Sequence, residues 1–241
     1  MVKKLKAPPL RVRDLLVDAT PAQLAARWKN RPGVIDDLFA WVFDDDVDDD
    51  RVPYAAAAVL CHLGQQRPLV AEWIELMADL DEEGEDHEDD DAVDAVAVVL
   101  GDHADPAVVG PMLLELLDAA LAEGAPLFCW RLFLEPLARF AERGWRDERT
   151  WSWLERLRVD EPDRWCSFVN GYGDPRAIPF LEAIIDAHAA ALDDLEHLSD
   201  DDRVVVEALA SRASLDAPPR AVDVERLTRL DAWHAARAAL R

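Results

Sequence analysis

Lysine is nearly missing from this chain: four residues against 22 arginines, in 241 residues that carry 50 acidic groups and a formal net charge of −24. A field of that sign repels nucleic acid and anionic membrane surfaces, so neither is expected as a partner, and it steers basic proteins inward. Glycine is scarce as well, at nine residues, and no Gly-rich phosphate loop occurs. Serine is limited to Ser152, Ser167, Ser199, Ser211 and Ser214, none beside a histidine and none in a Gly-x-Ser-x-Gly elbow. No apolar stretch approaches the roughly 20 residues that cross a bilayer. Behind the basic residues of 1–9 there is no apolar leader or cleavage site, and the expected location is the cytoplasm. Cys61, Cys129 and Cys166 are odd in number, far apart and set in apolar helical contexts. They read as buried, reduced thiols rather than as a disulfide framework or zinc site.

Residues 36–105 hold 23 Asp and Glu against only Arg51 and Arg67, a net of −21. The first 13 residues run the other way, at +5 from Lys3, Lys4, Lys6, Arg11 and Arg13. Residues 1–15 therefore read as a basic N-terminal arm, poorly ordered unless it docks on the acidic stretch, and 16–241 as a single helical domain. Two readings of the acidity stand side by side. It is a binding surface for a basic protein or peptide, or a solubility trait, as the excess of Asp over Glu, 33 to 17, in a lysine-poor chain allows.

With 51% of residues hydrophobic the chain can bury a sizeable core, and no segment alternates cleanly enough for a strand, which points to an all-α fold. Thr20-Pro21 starts one helix as N-cap and first helical residue. Val34, Ile35, Leu38, Phe39, Trp41 and Val42 line a second, before the run 44–50. Tyr54 to Leu63 is an Ala-rich helix closed by Gly64. Leu69, Val70, Trp73, Ile74, Met77 and Leu80 make a helical stripe after Pro68. The acidic segment 81–91, with nine carboxylates and no Lys or Arg, reads as a surface loop. Further helices are expected at 92–100, closed by Gly101, and after Asp105-Pro106, with Val109, Met112, Leu113, Leu116, Leu117, Ala120 and Leu121 inward. Others follow at 126–141, kinked or ended at Pro136, around Trp151 and Trp153, at 164–170, 202–213 and 222–240. Leu116 and Ile184 are expected to be fully buried.

Gly64, Gly101, Gly144 and Gly173 each follow a helix and precede a new start at Pro68, Asp105, Asp147 and Asp174, and they lie 37, 43 and 29 residues apart. That spacing matches helix-pair repeats of about 30 to 47 residues that bury their stripes only by stacking. At these joints the chain resembles HEAT-repeat proteins. Gly173-Asp174-Pro175-Arg176-Ala177-Ile178-Pro179-Phe180-Leu181 is similar to the family's inter-helix turn, and Leu100 to Val109 is a second copy with Asp105-Pro106 in place of Asp174-Pro175. The resemblance spans residues 50–190 and implies an α-solenoid of antiparallel pairs acting as a protein-binding scaffold. An irregular helical bundle is the competing architecture.

Chemistry is thin. Asp44, Asp46, Asp48 and Asp50 imitate the start of a calcium loop, but Asp49 stands where the turn needs glycine and Ala55 where a bidentate glutamate belongs, so no metal is expected. Cys61-His62 cannot aim two ligands at one ion from adjacent helical positions. His87 and His103 sit in or beside the acidic region, as surface groups open to protonation, and His188 falls at helical spacing from Leu181, Ile184, Ile185 and Leu192 as a core or rim residue. The nine tryptophans, half of the 18 aromatics, read mostly as packing. Trp151 and Trp153, two apart on a helix, should not both face a core, so one of them is a contact residue.

The expectation is thus a non-enzymatic scaffold, adaptor or inhibitor without cofactor, receiving a basic protein or peptide. Its contact residues would be Asp44, Asp46, Asp48, Asp50, Glu82, Glu85, Asp89, Asp90, Trp151 and Trp153. The alternative is an enzyme with a cryptic site in the groove of the helical array, drawn from Arg131, Glu135, Tyr172 and Asp174.

Overall fold

The computed structural model describes residues 10–43, 49, 51–83, 91–123, 130–190, 192, 203–215 and 218–238. Among these the secondary structure is helical, with no strand, and the chain divides into two compact units, 1–140 and 141–241.

The first unit contains α1 (Val12–Leu15), α2 (Pro21–Trp28), α3 (Val34–Phe43), α4 (Arg51–His62), α5 (Gln66–Glu83), α6 (Asp91–His103), α7 (Pro106–Glu123) and α8 (Trp130–Glu142), whose last residues cross the boundary. Helix α2 starts as its sequence dictates. The Thr20 hydroxyl accepts from the Gln23 N–H and the Gln23 side chain accepts from the Thr20 N–H, a reciprocal capping box with Pro21 at the first helical position. Helix α4 is the hub, packing against α1, α2, α3, α5 and α6. Five consecutive residues, Ala56 to Leu60, are completely buried, so the helix is enclosed on every side. The small side chains of Ala56, Ala57 and Ala58 are what let several neighbours approach at once. The end of the basic arm joins this packing. Leu10 and Leu15 are buried, α1 lies on α4, and the Leu10 N–H donates to Asp37 at 3.3 Å.

The second unit holds α9 (Glu148–Asp160), α10 (Pro162–Tyr172), a 3-10 turn (Pro175–Ala177) running into α11 (Ile178–Ala187), α12 (Arg203–Ser214) and α13 (Ala221–Ala238). Helix α10 packs on α9 and α12, and α12 also packs on α11 and α13. Trp165, Cys166 and Val169 of α10, Leu181 and Ile185 of α11 and Val205 and Leu209 of α12 are fully buried, with α12 packed on both α10 and α11. The Ser211 hydroxyl ties α12 to α10 by donating to the Cys166 carbonyl at 2.6 Å.

Several helix limits and faces differ from the sequence expectation. Gly64, Gly144 and Gly173 do close helices, each with φ between 65° and 87°, a region that costs glycine no steric penalty. Gly101 does not: it sits inside α6 because the Arg139 side chain lies against its Cα, and a Cβ there would meet Arg139 Cβ at 2.9 Å. Helix α5 runs on through Asp81, Glu82 and Glu83, and α6 begins at Asp91, so the expected loop is narrower than 81–91. Pro136 lies within α8 and does not end it. Leu116 is only half-buried, the inward line of α7 being Val109, Leu113, Leu114 and Leu117, one position round from the predicted stripe. Ile184 is likewise half-buried, since α11 turns Leu181 and Ile185 to the core.

Two tests follow from this packing. Leu117→Ala should cost about 2 to 5 kcal/mol and Leu116→Ala clearly less, read by chemical denaturation. A larger loss at Leu116 would place the buried face wrongly. Cys61 and Cys166 are buried, and burial foremost pushes the Cys166 thiol up to about 12. A thiol reagent at neutral pH should therefore label at most one cysteine per folded chain and all three after unfolding.

Candidate functional site

The contact residues expected from sequence fall into two groups. Asp44, Asp46, Asp48, Asp50, Glu85, Asp89 and Asp90 lie outside the described residues, as do His87 and Cys129, and of Glu82 only its place near the end of α5 is described. Trp151 and Trp153 are both described, and both are buried, at 4% and 5% exposure. This corrects the expectation that one faces outward. The helical-wheel argument assumed a single core on one side of α9, but arginines close off the remaining side. The Arg176 guanidinium lies 4.5 Å from the Trp151 ring centroid and the Arg156 guanidinium 5.6 Å from that of Trp153, so a cation sits over each indole.

In the described part of the acidic stretch, Arg51 is already committed. Asp49 takes Arg51 through both oxygens, at 2.8 and 2.7 Å, and also accepts the Arg51 backbone N–H; the Arg51 hydrogen bonds hold its carboxyl down at about 2. Asp102 is met by Arg139 at 2.9 Å, a cation from outside the stretch. Asp36, Glu72 and Glu75 stay exposed. Glu72 and Glu75 stand on α5 one turn apart, while Trp73 and Met77 of the same helix are buried.

A polar cluster occupies the α4, α6 and α8 side of the first unit. The Tyr54 hydroxyl donates to Asp102 at 3.4 Å, Arg139 joins Asp102 to Glu135 at 2.9 and 3.0 Å, and the His103 ring stands edge-on to His62 and Tyr54. Burial, with Asp102 beside it, pushes the Tyr54 phenol up, so it stays a neutral donor. Gly101 makes the cluster possible by giving Arg139 room to lie across α6. These bonds bind three helices and spend the charges on one another, leaving no activated nucleophile or base among them.

In the second unit a stack forms where α9, α10 and α11 meet. Asp174 accepts the Arg176 N–H at 2.9 Å and grips the Arg176 guanidinium, which also pairs with Glu148 and covers Trp151. Trp151 lies beside Tyr172, whose hydroxyl donates to the Asp147 carbonyl at 3.2 Å and whose ring carries Arg146 at 5.6 Å. Asp147 repeats the pattern with Arg149, accepting its N–H at 2.9 Å and its guanidinium at 3.1 Å. Asp49-Asp50-Arg51, Asp147-Glu148-Arg149 and Asp174-Pro175-Arg176 are thus one device used three times, an aspartate cap locked by the arginine two residues on. Sequence reasoning found Asp147 and Asp174 as helix starts but missed the Asp-x-Arg recurrence that would have linked the three.

Of the residues considered for a cryptic active site, the side chain of Arg131 is not described, Glu135 is held by Arg139 in the first unit, and Tyr172 and Asp174 serve the joint just described. Glu135, Tyr172 and Asp174 each have a structural partner.

The joint gives a pH-dependent stability. Arg149 hydrogen bonds lower Asp147, and at Asp174 burial raises the carboxyl but the Arg176 bonds outweigh it and leave it lowered. A carboxylate lowered in the folded state contributes its stabilisation fully above its unfolded value of about 3.9 and loses it as pH falls through the folded value. Asp174→Ala should cost about 0.5 to 2 kcal/mol at pH 7 in urea denaturation. The gap to the parent protein should close as pH drops below about 4; a pH-independent gap would contradict the role of the charge.

No protein-family model matches this chain, and no curated protein or solved structure matches it either.

Proposed function

We propose that the chain is a non-enzymatic binding scaffold, a HEAT-like array of helix pairs whose acidic N-terminal half receives a basic protein or peptide as adaptor or inhibitor in the cytoplasm. The observation that carries this reading is the segregation of charge: 36–105 holds a net of −21 of the chain's −24. If acidity served solubility alone, it would be expected to spread over both units. Exposed Glu72 and Glu75 on a helix anchored by buried Trp73 and Met77 offer the rigid, desolvation-free carboxylates that a basic partner reads at long range. The repeated Asp-x-Arg cap supports the repeat reading, because equivalent joints in a stacked array need equivalent locks.

The test is calorimetric titration with an arginine-rich peptide across ionic strength. Binding should be strong in dilute buffer and collapse toward 1 M salt, where the Debye length is only about 3 Å. Glu85→Gln, Asp86→Asn, Glu88→Gln, Asp89→Asn and Asp90→Asn together should weaken capture and flatten its salt dependence. The melting temperature should hold or rise, since like-charge repulsion is relieved. Binding indifferent to salt, or untouched by these changes, would reject the acidic surface.

A further inference from the structure

The basic arm is pinned to the acidic unit by apolar contacts. Leu10 and Leu15 are buried, α1 packs on the hub α4, and the Leu10 N–H donates to Asp37, the second carboxylate of the stretch 36–105. Beside Asp37, Asp36 stays exposed. Three of the chain's four lysines, Lys3, Lys4 and Lys6, precede this anchor. Lys6 is four positions from Leu10 and Lys3 seven, so their Cα atoms lie within about 14 and 25 Å of it even at full extension. The choice of residue is informative, because the fixed ion pairs at Asp49, Asp102, Asp147, Asp174 and Asp223 are all made by arginine. A lysine ammonium is a compact, strongly hydrated point charge without the arginine fork, suited to contacts that exchange rather than lock.

We propose that Lys3, Lys4 and Lys6 are an internal competitor for the acidic surface, covering carboxylates that a basic partner takes only by displacing them. Surface ion pairs are individually weak. A segment tethered at Leu10 and Leu15, however, meets its own chain at an effective concentration of the order of millimolar, which an external partner must exceed in affinity. Charge complementarity names the occupant: the first 13 residues carry +5 and the stretch beside their anchor −21. The arm thereby raises the threshold for capture and screens out weakly basic proteins. This inference rests on the reading of 36–105 as a surface for a basic partner.

The experiment combines lysine acetylation of the full chain, read by mass spectrometry, with calorimetry. Exposed Lys29 is the internal reference. In dilute buffer Lys3, Lys4 and Lys6 should react more slowly than Lys29. Either 1 M salt, where the Debye length is about 3 Å, or an N-acetylated arginine-rich peptide without lysine should bring them to its rate. Leu10→Ala loosens the anchor at constant charge, and Lys3→Gln, Lys4→Gln and Lys6→Gln together remove the competing cations. Each should bind the peptide about threefold or more tighter than the parent, since apparent affinity scales with the fraction of chains whose site is open. Lys3→Arg, Lys4→Arg and Lys6→Arg together should match the parent, and melting temperatures check that every variant folds. A peptide that binds no version, with salt-sensitive protection still present, would reject the external partner and support the arm as occupant. Arm lysines as reactive as Lys29 in dilute buffer, protection that salt leaves intact, protection that grows with chain concentration, or unchanged affinity in both Leu10→Ala and the triple glutamine variant would each overturn the proposal.

Discussion

The second unit hangs on one carboxylate in a low-exposure position. Asp174 closes the start of the turn into α11, and by gripping Arg176 it lays that guanidinium across Trp151 and against Glu148 of α9. Trp151 in turn backs Tyr172 of α10, whose hydroxyl reaches the cap of α9. One ion pair therefore sets the mutual position of three helices. An aspartate cap satisfies backbone donors that a buried joint could not leave open, and a charged partner two residues on keeps it ionised.

Arginine is the chain's general-purpose bracket. Arg139 spans α6 and α8, and Arg212 and Arg220 hold Glu182, Asp186 and the fully buried Asp223 to tie α11, α12 and α13 together. A planar fork that holds two carboxylates suits this use better than a lysine point charge, which fits the ratio of 22 to four. The consequence is an uneven field. Where arginines are plentiful the acidic groups are consumed in structure; in 36–105, with two arginines, the described Asp36, Glu72 and Glu75 stay exposed. The same stretch contains the enclosed hub α4, so a basic partner would meet fixed charges on a rigid base.

Arginine also explains how so many tryptophans are housed. Rings that one helix face could not bury are covered by guanidinium groups, at Trp151, Trp153 and, for a phenyl ring, Phe180. Arg176 has its charge paired by Asp174 and Glu148, whereas the buried Arg158 Nε–H has no acceptor among the described residues.

Local chain chemistry was legible in the sequence. The Thr20 capping box, the Asp174 cap and the helix-ending glycines at 64, 144 and 173 were readable because a cap, a fixed φ and a neighbouring N–H are decided within a few residues. The all-helical class followed from periodicity for the same reason. What covers a side chain was not legible. Gly101 looks like a stop in sequence and becomes a site of close approach only because Arg139, 38 positions on, lies against it. Trp151 is sealed by Arg176 from the turn before α11 and Trp153 carries Arg156 of its own helix, while Leu116 and Ile184 slip from core to rim because neighbouring helices set which part of a broad stripe is central. The sequence alone determined the caps at Thr20 and Asp174, the helix-ending glycines 64, 144 and 173 and how charge divides along the chain, since those depend on near neighbours and composition. Tertiary structure alone decided which faces are buried, because burial is a property of the partners that distant segments bring.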